Sequence, residues 1–190
     1  SRPASGADHQ IAHLWEMENL THQGQVVAHG ACVSIGALTV LDLYDWLLAH
    51  DFSSDDAAHA MKNAETLDDK YQQIRSHFDN DQIASRAMQE TRAKHAEGEE
   101  LQERLQSLAA TWPDLQARLK AHLISRPAME DLLAQAGAPV RSADIGVSKS
   151  HHRSSTLAAR FLRSRYTVLD LMAEADLLSR AVDDVFSRMD

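Results

Sequence analysis

Helix-breaking residues are scarce in this chain of 190 residues, and this scarcity constrains the fold more than any other feature. Only 7 glycines and 4 prolines occur, so long helices are expected and a loop-rich β fold is not. Apolar residues recur at helical spacing almost throughout, and no convincing run of strands is present. The sequence therefore predicts an all-α protein built as a multi-helix bundle.

Composition and charge narrow the class of protein further. A hydrophobic content of 44% is enough for one domain with a substantial core. The net charge of -9 argues against nucleic acid as a partner, because binding a phosphate backbone requires a basic surface. The single cysteine, Cys32, cannot form an internal disulfide, and no signal peptide is visible. These features favour a cytoplasmic location.

The most apolar stretch, residues 28–48, has about the length of a membrane span. Asp42 and Asp45 interrupt it. We therefore interpret it as a buried helix and predict that the chain has no membrane span.

Cap and turn signals divide the chain into helices. Ser5 and Asp8 have the spacing of a capping box at the start of the first helix. Gly98 is expected to bend a charged helix, and Pro113 to interrupt a leucine seam, with Thr111 capping a new helix. The seam predicts packing against a neighbouring helix, and it consists of Leu101, Leu105, Leu108, Trp112, Leu115 and Leu119. The first expected helix ends near Asn19. The others cover approximately 26–50, 53–78, 82–110, 126–139, 150–166, 167–176 and 177–189.

Three of the eleven histidines are candidates for a site. His9 and His13 stand four residues apart, so both project from one face of a helix and can converge on one ion. His29 begins the next, very apolar segment beside Gly30, where a partner could approach closely. Imidazoles in this arrangement suit Zn²⁺ or a similar divalent cation. Spacing alone does not decide which of them bind, and the remaining single histidines are expected to be solvated.

Three sequence segments resemble sn-glycerol-1-phosphate dehydrogenases, especially those of bacteria. "RPASGADHQIAHLWEM" resembles the helix that opens their carboxy-terminal domain, and "VVAHGACVSIGALTVLDLY" looks like the next helix. "IGVSKSHHRSSTLAARFLRSRYTVLDLMAEADLL" is similar to their closing helices. The resemblance covers roughly the first and last fifty residues. It implies the helical, dehydroquinate synthase-like carboxy-terminal domain of the iron-containing alcohol dehydrogenase superfamily.

The resemblance also implies a site. His9 and His29 would be metal ligands, with a third, aspartate ligand from the segment that joins the two domains of such enzymes. His13 would line the active site, contact the substrate and pass a proton. Apart from the resemblance, Ser5 and Gly6 stand at the start of the first helix, where their backbone N–H groups are candidates to bind an anionic substrate. Zinc is the expected metal, with nickel or iron(II) as alternatives. Basic residues of the closing helices are further phosphate candidates: His151, His152, Arg153, Arg163 and Arg165.

The implied reaction is reversible, NAD(P)H-dependent reduction of dihydroxyacetone phosphate to sn-glycerol 1-phosphate. No glycine-rich nucleotide-binding motif occurs in this chain, so NAD or NADP would bind mainly to an amino-terminal nucleotide-binding domain. Residues 1–190 would be only the helical metal- and substrate-binding domain, inactive alone and expected to form a homo-oligomer. Two alternatives stay open, namely a glycerol or polyol dehydrogenase of the same superfamily and a non-catalytic helical interaction module.

Overall fold

Helices form nearly all of the regular structure in the computed structural model, which describes residues 6–189. The prediction of an all-α protein is confirmed. A two-residue antiparallel hairpin, β1 (Thr21–His22) and β2 (Gln25–Val26), lies between the first two helices. The helices are α1 (Ala7–Met17), α2 (His29–Leu48), α3 (Ser54–Lys62), α4 (Leu67–His77), α5 (Asp81–Arg92), α6 (Gly98–His122), α7 (Arg126–Gln135), α8 (Lys149–Ala158), α9 (Val168–Glu174) and α10 (Leu178–Arg188).

The described chain divides into two compact units. The first unit contains residues 6–47, 124–159 and 181–189, and therefore holds α1, most of α2, α7, α8 and most of α10. The second unit contains residues 48–123 and 160–180, with α3 to α6 and α9. All the histidines singled out as site candidates lie in the first unit.

The core of the first unit is built on α1, α2, α8 and α10. Trp15 of α1 is fully buried and its indole N–H donates to the hydroxyl of Ser155, 2.9 Å away. His152 of α8 lies edge-on to both Trp15 and Phe186. Helix α2 is long and apolar enough to cross a membrane, but 61% of its apolar window is buried within the protein. That burial is the pattern of a core helix, as the sequence analysis predicted.

In the second unit α6 packs against α3, and the first half of the leucine seam is buried. Leu101, Leu105 and Trp112 face the core, and the Trp112 ring lies edge-on to Phe52. The expected break at Pro113 is wrong, because α6 continues through it to His122. A proline removes one backbone hydrogen bond and typically kinks a helix. Here the tertiary contacts of the buried seam override that local preference.

Two other predicted helix boundaries are wrong. The expected helix over 53–78 is two helices, because Thr66 forms a capping box with Asp69 and starts α4. The expected charged helix over 82–110 ends at Arg92, and α6 begins at Gly98. That glycine adopts a φ of 56°, a left-handed conformation that side chains disfavour. The capping box at Thr66 and the left-handed backbone angle of Gly98 thus set the starts of α4 and α6, although the polar helical pattern predicted continuous helices there.

The amino-terminal cap of α1 also differs from expectation. Gly6 is the N-cap and makes no side-chain cap hydrogen bond. The carboxylate of Asp8, expected to cap the helix, instead accepts a hydrogen bond from the Nδ1 atom of His9. Ser5 lies outside the described residues.

Candidate metal centre

Three imidazole rings from two helices meet at one edge of the first unit. His9 and His13 lie one turn apart on α1, and His29 is the first residue of α2. The ring centroid of His29 lies 5.4 Å from that of His9 and 5.4 Å from that of His13. The His9 and His13 centroids are 6.2 Å apart. The convergence of these three residues, which the sequence suggested, is therefore present.

A carboxylate holds each ring by its Nδ1 atom. Glu16, one turn after His13 on α1, binds two rings at once. Its Oε2 lies 2.7 Å from Nδ1 of His13, and its Oε1 lies 2.6 Å from Nδ1 of His29. Asp8 lies 2.9 Å from Nδ1 of His9. An ionised carboxylate only accepts hydrogen bonds, so each Nδ1 is the protonated, donating nitrogen.

This arrangement fixes the tautomer of all three rings. With Nδ1 protonated, a neutral imidazole keeps the lone pair on Nε2. Among residues 6–189, no hydrogen bond involves the Nε2 atom of His9, His13 or His29. A carboxylate on one ring nitrogen and a free lone pair on the other is how metal-binding histidines are commonly oriented.

The spacing of the rings suits one small cation. In a tetrahedral site, zinc–nitrogen bonds of about 2.1 Å place the centroids of two ligating imidazoles about 5.2 Å apart. Two of the three observed separations, both 5.4 Å and both involving His29, are close to that value. The group that combines His13, Glu16 and His29 also brings one ligand atom from each residue within 4.8 Å of the others. Among the described residues, this is the one group of three such donors that lie this close together, and it does not include His9.

The charge of the cluster favours a cation. Burial is the largest influence on Glu16 and acts to raise its pKa. The hydrogen bonds and charges of His13 and His29 together outweigh burial, so the pKa of Glu16 is lowered and the carboxylate is ionised at neutral pH. Cys32 lies nearby, but burial, reinforced by the charge of Glu16, raises the pKa of its thiol to about 11. The thiol stays protonated and offers no thiolate ligand at neutral pH.

Helices α1 and α2 come together at a glycine. A Cβ atom added to Gly36 would lie 2.5 Å from the backbone oxygen of Asp8, so only glycine permits this approach. The close approach brings the start of α1, with His9, against α2. Gly30, beside which the sequence predicted that a partner could approach closely, faces open space, since no described atom lies within 4 Å of a Cβ built there.

An open cavity of about 440 Å³ adjoins the histidine cluster. Glu16 and His29 line it together with mainly apolar groups, among them Leu20, Val26 and Cys32. Val26 is an apolar side chain that is 78% exposed beside this cavity. No lysine or arginine of the described chain lines it. The cavity thus combines a metal-ligating edge with an apolar wall.

The basic residues expected to contact a phosphate have other surroundings. His152 is buried in the core, where its Nε2 lies 2.8 Å from the hydroxyl of Thr39. Burial lowers the pKa of His152 to about 4, so the ring is neutral. His151 binds Glu18, and Arg153 binds Asp183. None of these three residues is available as a free cation.

Sequence reasoning missed Glu16 as a member of the site. Its spacing of three from His13 is a usable signal, because positions i and i+3 lie on one helical face. Its contact with His29 across two helices gives no signal in the sequence. Gly6 is the N-cap of α1, one turn before His9, and its role toward a substrate stays a prediction, as does that of Ser5 beyond the described residues.

Comparison with known proteins gives one partial match. Over 63 residues the chain is 36% identical to the glycerol-1-phosphate dehydrogenase (NAD(P)+) of Bacillus licheniformis. The aligned part is 33% of this chain and 16% of the length of that protein. No family model and no solved structure matches the chain. Similarity over this extent relates the chain to a dehydrogenase, and thus to an oxidoreductase family, without placing it in one.

Proposed function

We propose that this chain is the helical, metal- and substrate-binding part of a metal-dependent oxidoreductase. In its full-length form, the enzyme reduces dihydroxyacetone phosphate to sn-glycerol 1-phosphate reversibly with NAD(P)H. The observation that carries the proposal is the cluster of His9, His13 and His29, each oriented by a carboxylate. The partial similarity to a glycerol-1-phosphate dehydrogenase supports the same reaction.

In this proposal His9 and His29 hold the metal through Nε2, and an aspartate from the segment that joins the two domains of the full-length enzyme completes the set. Zinc is the expected ion, and nickel or iron(II) suits the same donors. The bound cation would supply Lewis acidity at the substrate carbonyl, a stabilisation of several kcal/mol for developing negative charge. Coordination requires neutral imidazoles. The Nδ1 hydrogen bonds to Asp8 and Glu16 favour the tautomer that this role needs.

His13 is assigned to proton movement. Its Nδ1 donates to Glu16, and its Nε2 is free to exchange a proton with a substrate oxygen. The carboxylate of Glu16, 2.7 Å from Nδ1, orients the ring for this exchange. His13 and Glu16 thus form a short relay from the reacting oxygen toward solvent. His29, sharing the same carboxylate, is coupled to this relay.

A second candidate function follows from the cavity beside His29. Its described lining has no lysine or arginine, so it offers no charge to a phosphate. Glycerol or another uncharged polyol would need none. The phosphorylated substrate instead requires donors at the start of α1, where Ser5 and Gly6 are the candidates, or from the nucleotide-binding domain.

Metal binding by single variants tests the proposal. Bound zinc and its dissociation constant are measured for His9→Ala, His29→Ala, His13→Ala and, as a matched control, the exposed His122→Ala. We expect the first two to lose binding by at least a hundredfold, whereas His13→Ala and His122→Ala retain it. Full metal content in both His9→Ala and His29→Ala would rule the site out.

Turnover by the full-length enzyme then separates the two substrates. Preference for dihydroxyacetone phosphate over dihydroxyacetone supports the phosphate-specific reaction, and the reverse preference supports the polyol dehydrogenase. His13→Ala should slow turnover while sparing bound metal. A non-catalytic module would show neither turnover nor metal dependence.

A further inference from the structure

Among residues 6–189, the three donors that lie closest together are not the pair assigned to the metal above. His13, Glu16 and His29 each bring one ligand atom within 4.8 Å of the others. His9 lies outside this group, and its Nδ1 atom is 2.9 Å from a different carboxylate, that of Asp8. The ring centroids of His9 and His13 are 6.2 Å apart, the widest separation in the cluster. The cluster therefore contains two sets of donors that share His29.

The second of these sets is complete within the described residues. The first position, on His9 and His29, takes its third ligand from the segment that joins the two domains. The second position combines two imidazoles with a carboxylate, a donor set found in catalytic zinc sites, where water takes the fourth place. The side chains of His13, Glu16 and His29 are 32%, 33% and 46% exposed, so a cation and its water ligand can reach them.

The hydrogen bonds of Glu16 mark the place where such a cation would bind. Its two oxygens lie 2.7 Å from Nδ1 of His13 and 2.6 Å from Nδ1 of His29. A cation at this point replaces both hydrogen bonds by metal–nitrogen and metal–oxygen bonds. Each neutral ring keeps its proton by moving it to Nε2, which bonds to no other described residue. The exchange therefore needs no net loss of protons, and the ionised carboxylate attracts the cation.

We infer that His13, Glu16 and His29 form a second position for the divalent cation, bound through the Nδ1 atoms of both histidines. The inference rests on the proposed function, because His29 belongs to both positions. A neutral imidazole has one lone pair, so His29 binds the cation either through Nε2 in the first position or through Nδ1 in the second. The two positions therefore exclude each other, and one cation moves between them.

The second position is an inactive state of the site. A cation on Nδ1 of His13 and on Glu16 removes both groups from the proposed proton relay. The aspartate of the joining segment adds a ligand to the first position only, and this differential affinity draws the cation there. When that aspartate is away from the cluster, the second position retains the metal on this chain. The placement of the joining segment thus regulates whether the bound cation is ready for the reaction.

Zinc binding by His9→Ala tests the inference, because this variant removes a ligand of the first position alone. We expect one zinc ion to remain bound, more weakly than in the original protein. In the His9→Ala background, His13→Ala and Glu16→Gln should each weaken this residual binding by about a hundredfold, since losing a ligand costs at least as much as losing a residue that orients one. In the original protein His13→Ala spares zinc. Glu18→Gln in the same background is the control, because Glu18 binds His151 outside the cluster.

Nitrogen NMR of isotope-labelled histidines identifies the ligating atoms directly. In His9→Ala without zinc, His13 and His29 should carry their protons on Nδ1, and zinc should move both protons to Nε2. His9→Gln keeps more of the size and polarity of the histidine and should give the same result, which guards against misfolding of the alanine variant.

The outcomes separate the two positions. The second position is overturned, and the first is left intact, if neither His9 variant binds zinc, if His13→Ala does not weaken the residual binding, or if zinc lies on Nε2 of His29 in both His9 variants. Zinc binding that requires His13 and Glu16 but not His9 in the original protein would instead overturn the ligands of the proposed function, while the second position stands.

Discussion

The two units of this protein differ in whether their charged side chains are exposed or buried. In the first unit the buried polar residues are neutral, namely Gln10, Ser34, Thr39, His152, Ser155 and Thr156. Its charged cluster lies at the surface, where the side chains of His9, His13 and His29 are 23%, 32% and 46% exposed. The second unit instead buries Lys70, Arg160 and Asp170.

This difference in burial indicates which of the two clusters can bind and release a ligand reversibly. Exposed neutral imidazoles cost little when no ligand is bound, so the first cluster can gain and lose a cation without affecting the fold. Buried ammonium and guanidinium groups lose their hydration, and removing one partner leaves a charge uncompensated. The first cluster is therefore suited to reversible chemistry, and the second to a permanent internal role.

Lys94→Met should produce the largest effect on stability. The variant leaves the buried carboxylate of Asp170 without its cation, and we expect a loss of about 3–5 kcal/mol in the free energy of unfolding. Chemical denaturation measures it, with exposed Lys62→Met as the control, expected within about 0.5 kcal/mol of the original chain. A loss below about 1 kcal/mol would remove the distinction between the two clusters.

The neutral interior of the first unit predicts a specific response to acid. The hydroxyl of Thr39 donates to the backbone oxygen of Ile35, so it accepts from Nε2–H of His152. The pKa of His152 is about 4 in the folded chain, against 6.5 for the free group. Between pH 4 and 6.5 the unfolded chain therefore binds a proton at His152 that the folded chain does not. The contribution of His152 to stability is complete above pH 6.5 and is lost as the pH falls toward 4, by up to about 3 kcal/mol.

His152→Gln tests this response, since the amide can keep the bond to Thr39 and does not titrate. The free energy of unfolding is measured by denaturation between pH 4 and 7. Its slope with pH should correspond to about one proton fewer taken up on unfolding than in the original chain. The exposed His122→Gln serves as the control and should retain the full slope. An unchanged slope in His152→Gln would mean that other groups govern the response to acid.

Gly36→Ala connects the fold of the first unit with its histidine cluster. The added Cβ would meet the backbone oxygen of Asp8 at 2.5 Å, so α1 must move away from α2. We expect a loss of about 1–3 kcal/mol in stability and weaker zinc binding, because His9 moves relative to His29. Gly30→Ala meets no described atom within 4 Å and should instead stabilise the chain by up to about 1 kcal/mol. Identical behaviour of the two variants would contradict the assigned contact.

The parts of this structure that sequence could predict are those fixed by local periodicity. Apolar spacing and the scarcity of glycine and proline indicated the all-α class. The spacing of His9 and His13 placed both on one face of a helix. The cap that divides 53–78 depends on the local pair Thr66 and Asp69, whose spacing of three is also a signal in the sequence.

The other parts depend on contacts between distant residues. The continuation of α6 through Pro113 depends on its packing against α3, and local rules predict the opposite. The buried cluster of the second unit joins residues as far apart as Glu65 and Arg160. His95 was expected to be solvated, yet its side chain is 7% exposed and contacts Lys70. Such long-range pairings give no periodic signal in one sequence.

Glu16→Gln is the smallest and most precise of these tests, because it changes one atom of the carboxylate that holds both His13 and His29. The amide can accept from one ring through its oxygen, but it turns an N–H₂ group toward the other. We expect zinc affinity to fall about tenfold, the low end for residues that orient metal ligands, with little change in the free energy of unfolding. Glu18→Gln is the matched control, since Glu18 binds His151 outside the cluster. If Glu16→Gln binds zinc as the original chain does while His29→Ala does not, the ligands stand and the orienting role of Glu16 is wrong. If neither variant changes zinc affinity, the exposed cluster holds no metal at all.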